Sequence, residues 1–131
     1  MKKSTLLNSD LSYIIATLGH TDMLVIADAG LPIPSSTERV DLALVRGVPG
    51  AIETLSAVLS EMQVERVILA KETQEINPDF EKSVRDLLPD VPVDFVSHDE
   101  LKRLSANSRA VVRTGECKSY ANVILVSGVA F

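Results

Sequence analysis

The sequence predicts a layered α/β domain in which a mostly parallel central sheet is flanked by helices. Two apolar runs, MLVIA (23–27) and VERVILA (64–70), have the length of strands and carry apolar residues on both faces. Amphipathic segments alternate with such runs, and the connections between them are short. A chain of 131 residues fits one compact domain, so we expect a single domain over 1–131.

Helix and strand signals alternate in the first half. Ser9 or Asp10 is expected to cap the first helix, and Gly19 is expected to end it in a left-handed conformation. The predicted elements are, in order, a helix carrying Leu11, Ile14, Ile15 and Leu18, a strand over 23–27, a proline-containing loop over 28–39, a short strand near 40–44, a helix over 52–62 and a strand over 64–70.

The second half continues the alternation. Asn77 and Pro78 open a helix, and Ser97 with Glu100 forms the capping box of a shorter one that runs to Leu104. The predicted strands are 93–97, 110–114 and 122–131, the last two joined by GECKSYA. The apolar end Val-Ala-Phe is expected to be buried in the sheet or against another subunit.

Composition excludes several classes of protein. A net charge of −5 and a pI near 5.0 oppose binding to a phosphate backbone. With three Phe, two Tyr and no Trp, the chain also lacks the aromatic platform of a single-strand binder. We therefore expect no nucleic-acid partner.

The start of the chain and its apolar content indicate a compartment. Polar residues at 8–10 interrupt the apolar run after the first lysines, so we expect no signal peptide. No run of eighteen apolar residues occurs, so we expect no membrane span and a cytoplasmic protein.

Two ionisable residues follow strands of the predicted sheet. Asp28 comes directly after the strand 23–27, and His98 follows the strand 93–97. Ligands of open α/β sheets bind outside the carboxyl ends of the strands, so these two side chains are expected to face one crevice. The alternatives stay open: Asp28 is also a typical turn residue that bonds its own backbone, and His98 is also typical of an exposed first helical turn.

His20 occupies the opposite position relative to the same strand. It follows a helix C-terminus, where the dipole favours imidazolium, whereas His98 in a first turn is biased toward the neutral ring. An acid and a proton acceptor need such opposite biases, although a surface histidine in a turn is the more frequent case. His20 precedes the strand whose far end carries Asp28, so a shared site needs a folded-back loop or a neighbouring chain.

The densest polar stretch is RTGECKSYAN (113–122). Tyr120 offers a hydroxyl and Asn122 an amide, so this loop is suited to reading sugar hydroxyls, and a hairpin loop is the alternative. Cys117, the only cysteine, excludes an intrachain disulfide, and we expect no catalytic role for it. Phosphate-binding glycine motifs and a zinc spacing are absent, which leaves acid–base work on a polar small molecule with no cofactor and no metal.

Several segments together resemble one family. LGHTD, VIADAGLPIP, RTGE and YANVIL occur in order, and with them the chain resembles the D-ribose pyranase family. The resemblance begins near NSDLS and resumes at the C-terminus, while 63–96 carries no signature. The related fucose mutarotases typically have G-H-G-D where this chain has G-H-T-D at 19–22.

The resemblance implies a ribose-pyranase-like fold and an intramolecular isomerase of D-ribose catabolism that interconverts β-D-ribopyranose and β-D-ribofuranose. It implies that His20 is the catalytic proton donor. The implied monosaccharide-binding residues are Asp28, His98, Tyr120, Ala121 and Asn122. It also implies a ring-based homo-oligomer, a homodecamer, with sites near subunit boundaries. The alternatives are a mutarotase for fucose or another sugar, a non-catalytic sugar-binding module of a transport system, and a purely structural ring protein.

Overall fold

Six strands form one sheet in the structure, a computed structural model that describes residues 1–131. The strands are β1 (Met23–Ala27), β2 (Arg39–Asp41), β3 (Val64–Ala70), β4 (Val93–Val96), β5 (Ala110–Arg113) and β6 (Val123–Ser127). Their spatial order is β2-β5-β1-β6-β3-β4. Only β6 is antiparallel to its neighbours, β1 and β3, while the other pairs are parallel. The predicted mostly parallel sheet is confirmed.

Helices cover both faces of the sheet. They are α1 (Ser9–Thr17), α2 (Ala51–Leu59), α3 (Lys71–Ile76), α4 (Pro78–Leu87) and α5 (His98–Ala106). The larger of two buried clusters joins α1, α2 and α4 to one face, and the smaller cluster joins α5 to the other. This arrangement is the predicted layered α/β fold.

Each central strand supplies apolar side chains to both clusters in turn. In β1, Leu24 and Ile26 belong to the larger cluster, and Val25 and Ala27 belong to the smaller one. Successive side chains of a strand point to opposite faces, so a sheet covered on both sides requires continuous apolar runs. All four of these side chains are fully buried.

The boundaries of α1 differ from the prediction. Asn8, rather than Ser9 or Asp10, caps the helix, since its side chain accepts a hydrogen bond of 2.9 Å from the Leu11 N–H. Gly19 is not left-handed: the helix ends at Leu18, in extended backbone, and Thr21 carries the positive φ of 69°. The Thr21 N–H donates to the Ser127 carbonyl and the Asp22 N–H donates to the Gly19 carbonyl, so these bonds hold Thr21 in the left-handed conformation that had been expected at Gly19.

Three other features differ from the sequence analysis or decide between alternatives that it left open. Helix α3, over Lys71–Ile76, had not been predicted, because its six residues are too few to show an apolar period. The segment 114–122 is no hairpin loop, since β1 lies between β5 and β6. Within one chain Val129 and Phe131 are exposed rather than buried in the sheet.

The strand directions define two edges of the sheet. The five parallel strands end at one edge, which we call the carboxyl edge, and β6 begins there. The opposite edge, where the parallel strands begin and β6 ends, is called the amino edge. Every predicted site residue follows or precedes a strand at one of these two edges.

Candidate functional site

A cavity of about 370 Å³ opens at the carboxyl edge, and we call it the carboxyl-edge cavity. Its lining residues are Asp28, Gly30, Leu31, Pro32, His98, Lys102, Ser119 and Tyr120. The prediction that Asp28 and His98 face one crevice is therefore confirmed. A volume of this size and a lining rich in polar groups suit a small hydroxylated ligand.

Asp28 is fixed by hydrogen bonds at both carboxylate oxygens. Its Oδ1 accepts from the Gly30 N–H at 2.9 Å, which closes a local turn. Its Oδ2 accepts from Asn122 Nδ2 at 3.0 Å, and its own N–H donates to Asn122 Oδ1 at 2.9 Å. Asp28 therefore has both of the roles that the sequence left open as alternatives: it closes a turn and it lines the cavity.

The segment RTGE braces the turn that carries Asp28. Arg113 Nε donates to the Ala29 carbonyl at 3.1 Å, and the Thr114 hydroxyl donates to the Ala27 carbonyl at 2.7 Å. The Ala29 N–H in turn donates to the Glu116 carbonyl at 2.8 Å. Residues before and after Asp28 are therefore held by one neighbouring segment, so the carboxylate has a defined direction.

His98 is the first residue of α5 and has an unsatisfied ring nitrogen. Ser97 caps the helix by accepting from the Glu100 N–H at 3.1 Å, and the His98 N–H donates to Glu72 Oε2 at 2.9 Å. Its Nδ1 is buried and has no hydrogen-bond partner in the chain. Buried polar atoms are rarely left unpaired, so a ligand hydroxyl in the cavity is a suitable partner.

Tyr120 lies against His98 and has a left-handed backbone. The two rings meet edge to face, with centroids 4.9 Å apart and planes at 87°. Tyr120 has a φ of 58°, and the buried Thr73 hydroxyl donates to its carbonyl at 2.9 Å. Asn77 Nδ2 donates to the Ser119 carbonyl at 3.0 Å. Helix α3 and the cap of α4 thus hold the loop against the cavity.

Of the segment Tyr120–Asn122, only Tyr120 lines the carboxyl-edge cavity. Ala121 is 1% exposed and belongs to the larger apolar cluster, so its side chain is not available to a ligand in this cavity. Asn122 is also 1% exposed, and both ends of its amide are bonded to Asp28. Asn122 therefore orients Asp28.

His20 lies at the amino edge, away from the carboxyl-edge cavity. It lines a second cavity, of about 430 Å³, together with residues from α1, the loop 61–63 and the C-terminal segment 127–131. The five residues of β1 separate it from Asp28, a span of about 16 Å at the usual rise of a strand. Within one chain, the structure does not bring His20 to Asp28.

The turn that carries His20 is held by Asp22. Its Oδ2 accepts from the Gly19 N–H at 2.8 Å and from Arg109 Nε at 2.9 Å. The hydrogen bond from Gly19, followed by that from Arg109, lowers the pKa of the Asp22 carboxyl below its ordinary value of 3.8. The carboxylate therefore remains ionised and keeps the turn closed at neutral pH.

Three charged residues beside the predicted histidines were not found from the sequence. Lys102 lines the carboxyl-edge cavity, Glu72 accepts from the backbone of His98, and Glu65 Oε2 lies 2.8 Å from His20 Nε2. Lys102 had a usable signal, since it stands one helical turn after His98. The other two had none, because their partners lie on distant elements.

Cys117 is a free, exposed thiol whose Sγ lies 3.3 Å from the Gly115 carbonyl. No group of three or more His, Cys, Asp or Glu side chains is arranged to hold a metal ion. The chain contains no helix with the length and apolarity needed to span a membrane.

The fold and the polar carboxyl-edge cavity define an α/β sheet protein suited to a small polar ligand, and comparison with known proteins gives its family. The family model described as the RbsD / FucU transport protein family matches residues 1–130, and the chain belongs to that family.

Proteins named D-ribose pyranase match the whole chain. Those of Chloroflexus aggregans and Clostridium perfringens are 56% and 54% identical to it over 131 residues, which cover both chains completely.

Solved structures agree with the family. The structure of Bacillus subtilis RbsD complexed with D-ribose matches with a TM-score of 0.97 and 45% identity over the full length of both chains. The fucose mutarotase of Streptococcus pneumoniae in complex with L-fucose matches with a TM-score of 0.83 and 22% identity. That match covers 97% of this chain and 96% of the other, and it shows a shared fold alone.

Proposed function

We propose that this protein is a D-ribose pyranase, an isomerase that interconverts β-D-ribopyranose and β-D-ribofuranose. The observation that carries the proposal is the full-length similarity, at a TM-score of 0.97, to a protein whose structure contains D-ribose. Relatives named D-ribose pyranase at 54–56% identity support the same reaction. A polar cavity that carries an unpartnered imidazole nitrogen supports binding of a polyhydroxylated ligand.

The reaction needs only proton transfers. A base removes the proton of the anomeric hydroxyl, the bond between C1 and the ring oxygen breaks, and that oxygen takes up a proton to give the open aldehyde. The 4-hydroxyl then attacks C1 and loses its proton, while the aldehyde oxygen gains one. Nothing is oxidised or reduced, and a positioned acid–base group typically contributes about 10²–10⁴-fold.

The proposed roles follow the positions of the side chains. His20 is the acid–base group, and Asp28 orients a sugar hydroxyl. His98 and Tyr120 bind further hydroxyls, the first through the ring nitrogen that has no partner in the chain. Asn122 acts by holding Asp28, and Ala121 acts through its backbone. No metal or organic cofactor takes part in these steps.

We propose further that the site is completed between subunits of a ring-based homodecamer. His20 and Asp28 lie at opposite ends of β1, so the amino edge of one chain has to meet the carboxyl edge of another. Apolar side chains exposed in the single chain, including Leu44 and Val45, provide surface for such contacts. Native mass spectrometry should give a mass of ten chains, and a monomer would contradict this part of the proposal.

We propose that the reaction takes place in the cytoplasm, as the resemblance to a family of D-ribose catabolism implies. Cell fractionation that finds the protein with a cytoplasmic marker enzyme supports this assignment, and recovery with the membrane or periplasmic fraction contradicts it.

Saturation-transfer NMR on D-ribose tests the activity directly, since it reports exchange between ring forms. The wild-type protein should increase the exchange rate, and His20→Ala should reduce that increase by about 10²-fold or more. A sugar-binding module would bind ribose, as seen by calorimetry, and leave the exchange rate unchanged. A fucose mutarotase would accelerate exchange of L-fucose in preference to ribose, and a purely structural ring would bind neither sugar.

Mixing two inactive variants tests whether the site is shared. His20→Ala and Asp28→Asn each lack one half of the proposed site, but a mixed oligomer brings an intact His20 to an intact Asp28. Random mixing of equal amounts restores about one quarter of the sites, because each of the two contributing chains is the right variant half of the time. Absence of recovery after subunit exchange has been verified by mass would place the whole site within one chain.

A further inference from the structure

A carboxylate lies directly against the ring of His20, across the amino edge of the sheet. Glu65 Oε2 is 2.8 Å from His20 Nε2, and the two side chains are 41% and 56% exposed in the single chain. This is the only side-chain hydrogen bond that the His20 ring makes, so Nδ1 is free. Glu65 makes no ion pair with a lysine or arginine, and the neighbouring Arg66 pairs with Asp94.

An irregularity in β3 aims the Glu65 side chain. The pairing of β3 with β6 shifts register between Val64 and Arg66, which places Glu65 at a bulge. Bulges redirect side chains and occur frequently beside functional sites. Gly128, on the segment that follows β6, makes room for this bulge, since a Cβ there would lie 3.0 Å from the Glu65 Cβ and 3.3 Å from its N.

The His20 side of the contact is fixed equally well. Thr21 holds a φ of 69°, and its N–H donates to the Ser127 carbonyl at 2.9 Å. The Ser127 N–H donates to the Asp22 carbonyl at 2.8 Å. A left-handed threonine is uncommon and persists only where its surroundings hold it, so the backbone beside His20 is fixed, and the direction of the imidazole ring depends on its own contact with Glu65.

We propose that Glu65 is a positioning residue that holds His20 through Nε2 and leaves Nδ1 to exchange the proton with the sugar. This inference rests on the proposed function. An ionised carboxylate only accepts hydrogen bonds, so in the neutral ring Nε2 carries the hydrogen and Nδ1 carries the lone pair. In the protonated ring Nε2–H still donates to Glu65, and Nδ1–H is a donor without a hydrogen-bond acceptor in the chain.

A role in stability alone does not account for this arrangement. Ion pairs that are this exposed contribute little to folding. A bulge, a glycine and a left-handed threonine converge on the contact, although none of them improves the packing of the core. A carboxylate that orients a catalytic imidazole and fixes its tautomer is a known arrangement in other enzymes.

Kinetics of three variants test the inference. Glu65→Ala should lower kcat for ribose ring exchange by about 10- to 100-fold, since misplacing a catalytic group costs that much, and should leave KM unchanged. Glu65→Gln keeps an oxygen acceptor in place and should recover part of the lost kcat. Asp86→Ala is the matched control, because Asp86 is also an exposed carboxylate with one charged partner, Lys82, but lines neither of the two cavities. It should retain wild-type kcat.

Two further measurements separate positioning from a general loss of structure. In the His20→Ala background, removing Glu65 should cost nothing more, because Glu65 acts only through the missing ring. Nitrogen-15 NMR of labelled histidine should show the Nε2–H tautomer for neutral His20 in the wild type and a mixture in Glu65→Ala.

Some results would overturn the inference while the proposed function stands. One such result is a wild-type kcat in Glu65→Ala. Another is an Nδ1–H tautomer for neutral His20 in the wild type. A third is a double variant whose kcat is lower than that of His20→Ala by the same factor that Glu65→Ala alone costs. If the wild-type protein leaves ribose exchange unchanged, the proposed function fails, and the tautomer measurement alone then decides the role of Glu65.

Discussion

Replacing Asn122 by alanine tests the link between the carboxyl-edge cavity and the stability of the fold. Asn122 is 1% exposed, and its amide makes two hydrogen bonds to Asp28. Alanine removes both of them without placing a new group in the sheet. The Asp28 N–H then has no acceptor, and the Asp28 carboxylate loses one of its two donors.

The expected cost follows from those two losses. An unpaired buried donor costs about 1–3 kcal/mol, and this applies to the Asp28 N–H. The bond to the carboxylate is charge-assisted, but Asp28 is half-buried and opens onto the cavity, so water replaces part of it and the loss is about 1 kcal/mol. We expect Asn122→Ala to lower the free energy of unfolding by about 2–4 kcal/mol in total.

Urea unfolding at a fixed protein concentration measures this difference, because association into the proposed oligomer would make apparent stability depend on concentration. Asn107→Ala is the matched control: Asn107 is exposed, and its side chain makes one bond of 3.3 Å to the Arg103 carbonyl. The control should stay within about 0.5 kcal/mol of the wild type. A loss below about 1 kcal/mol for Asn122→Ala, with an unchanged slope in urea, would refute the account of Asp28 given above.

Two further substitutions probe the turns at the two edges. Asp22→Asn should lower the free energy of unfolding at pH 7 by about 0.5–1 kcal/mol. The lowered pKa of Asp22 stabilises the fold above its ordinary value of 3.8, and that contribution is lost as pH falls through the folded-state pKa. The gap between variant and wild type, measured by urea unfolding, should therefore shrink in acid, and a constant gap would show that the charge of Asp22 is irrelevant. Gly115→Ala should cost about 2–4 kcal/mol, because its Cβ would lie 2.5 Å from the Val45 and Val48 carbonyl oxygens. Gly30→Ala meets nothing closer than Asp28 Oδ1 at 3.7 Å, so equal thermal stability of the two alanine variants would contradict the steric argument.

The layered fold was predictable because its physical signal is local. A strand covered on both faces has to be apolar at every position, and 23–27 and 64–70 were correctly predicted as β1 and β3. The cap residues of α4 and α5 were also predictable, since the side chains of Asn77 and Ser97 each accept a hydrogen bond from the N–H three residues further along the chain. The placement of Asp28 and His98 at one cavity followed from strand direction alone.

The direction of β6 and the pairing of the strands were not predictable in the same way. An antiparallel central strand covered on both faces has the same apolar composition as its parallel neighbours, so nothing in 123–127 distinguishes it. Register depends on contacts between distant segments, and the bulge at Glu65 appears only when β3 is paired with β6. For that reason the contact between Glu65 and His20 had no signal in the sequence.

The two cavities belong to the same pair of adjacent strands. β1 starts shortly after His20 and ends before Asp28, and β6 starts after Asn122, which holds Asp28. β6 ends at Ser127, whose carbonyl accepts from the N–H of Thr21, next to His20. Two central, paired strands therefore fix the distance between the proposed acid–base group and the proposed sugar-binding carboxylate.

Because that separation is set by strand length, no single chain brings the two groups to one pentose. In the proposed assembly, a contact between the amino edge of one chain and the carboxyl edge of the next would complete one site per contact, and only a closed arrangement would leave no chain with an unmatched edge. If the proposed function is correct, assembly is a condition of catalysis. The exchange rate per chain should then fall when dilution dissociates the oligomer, while the fold of each chain persists.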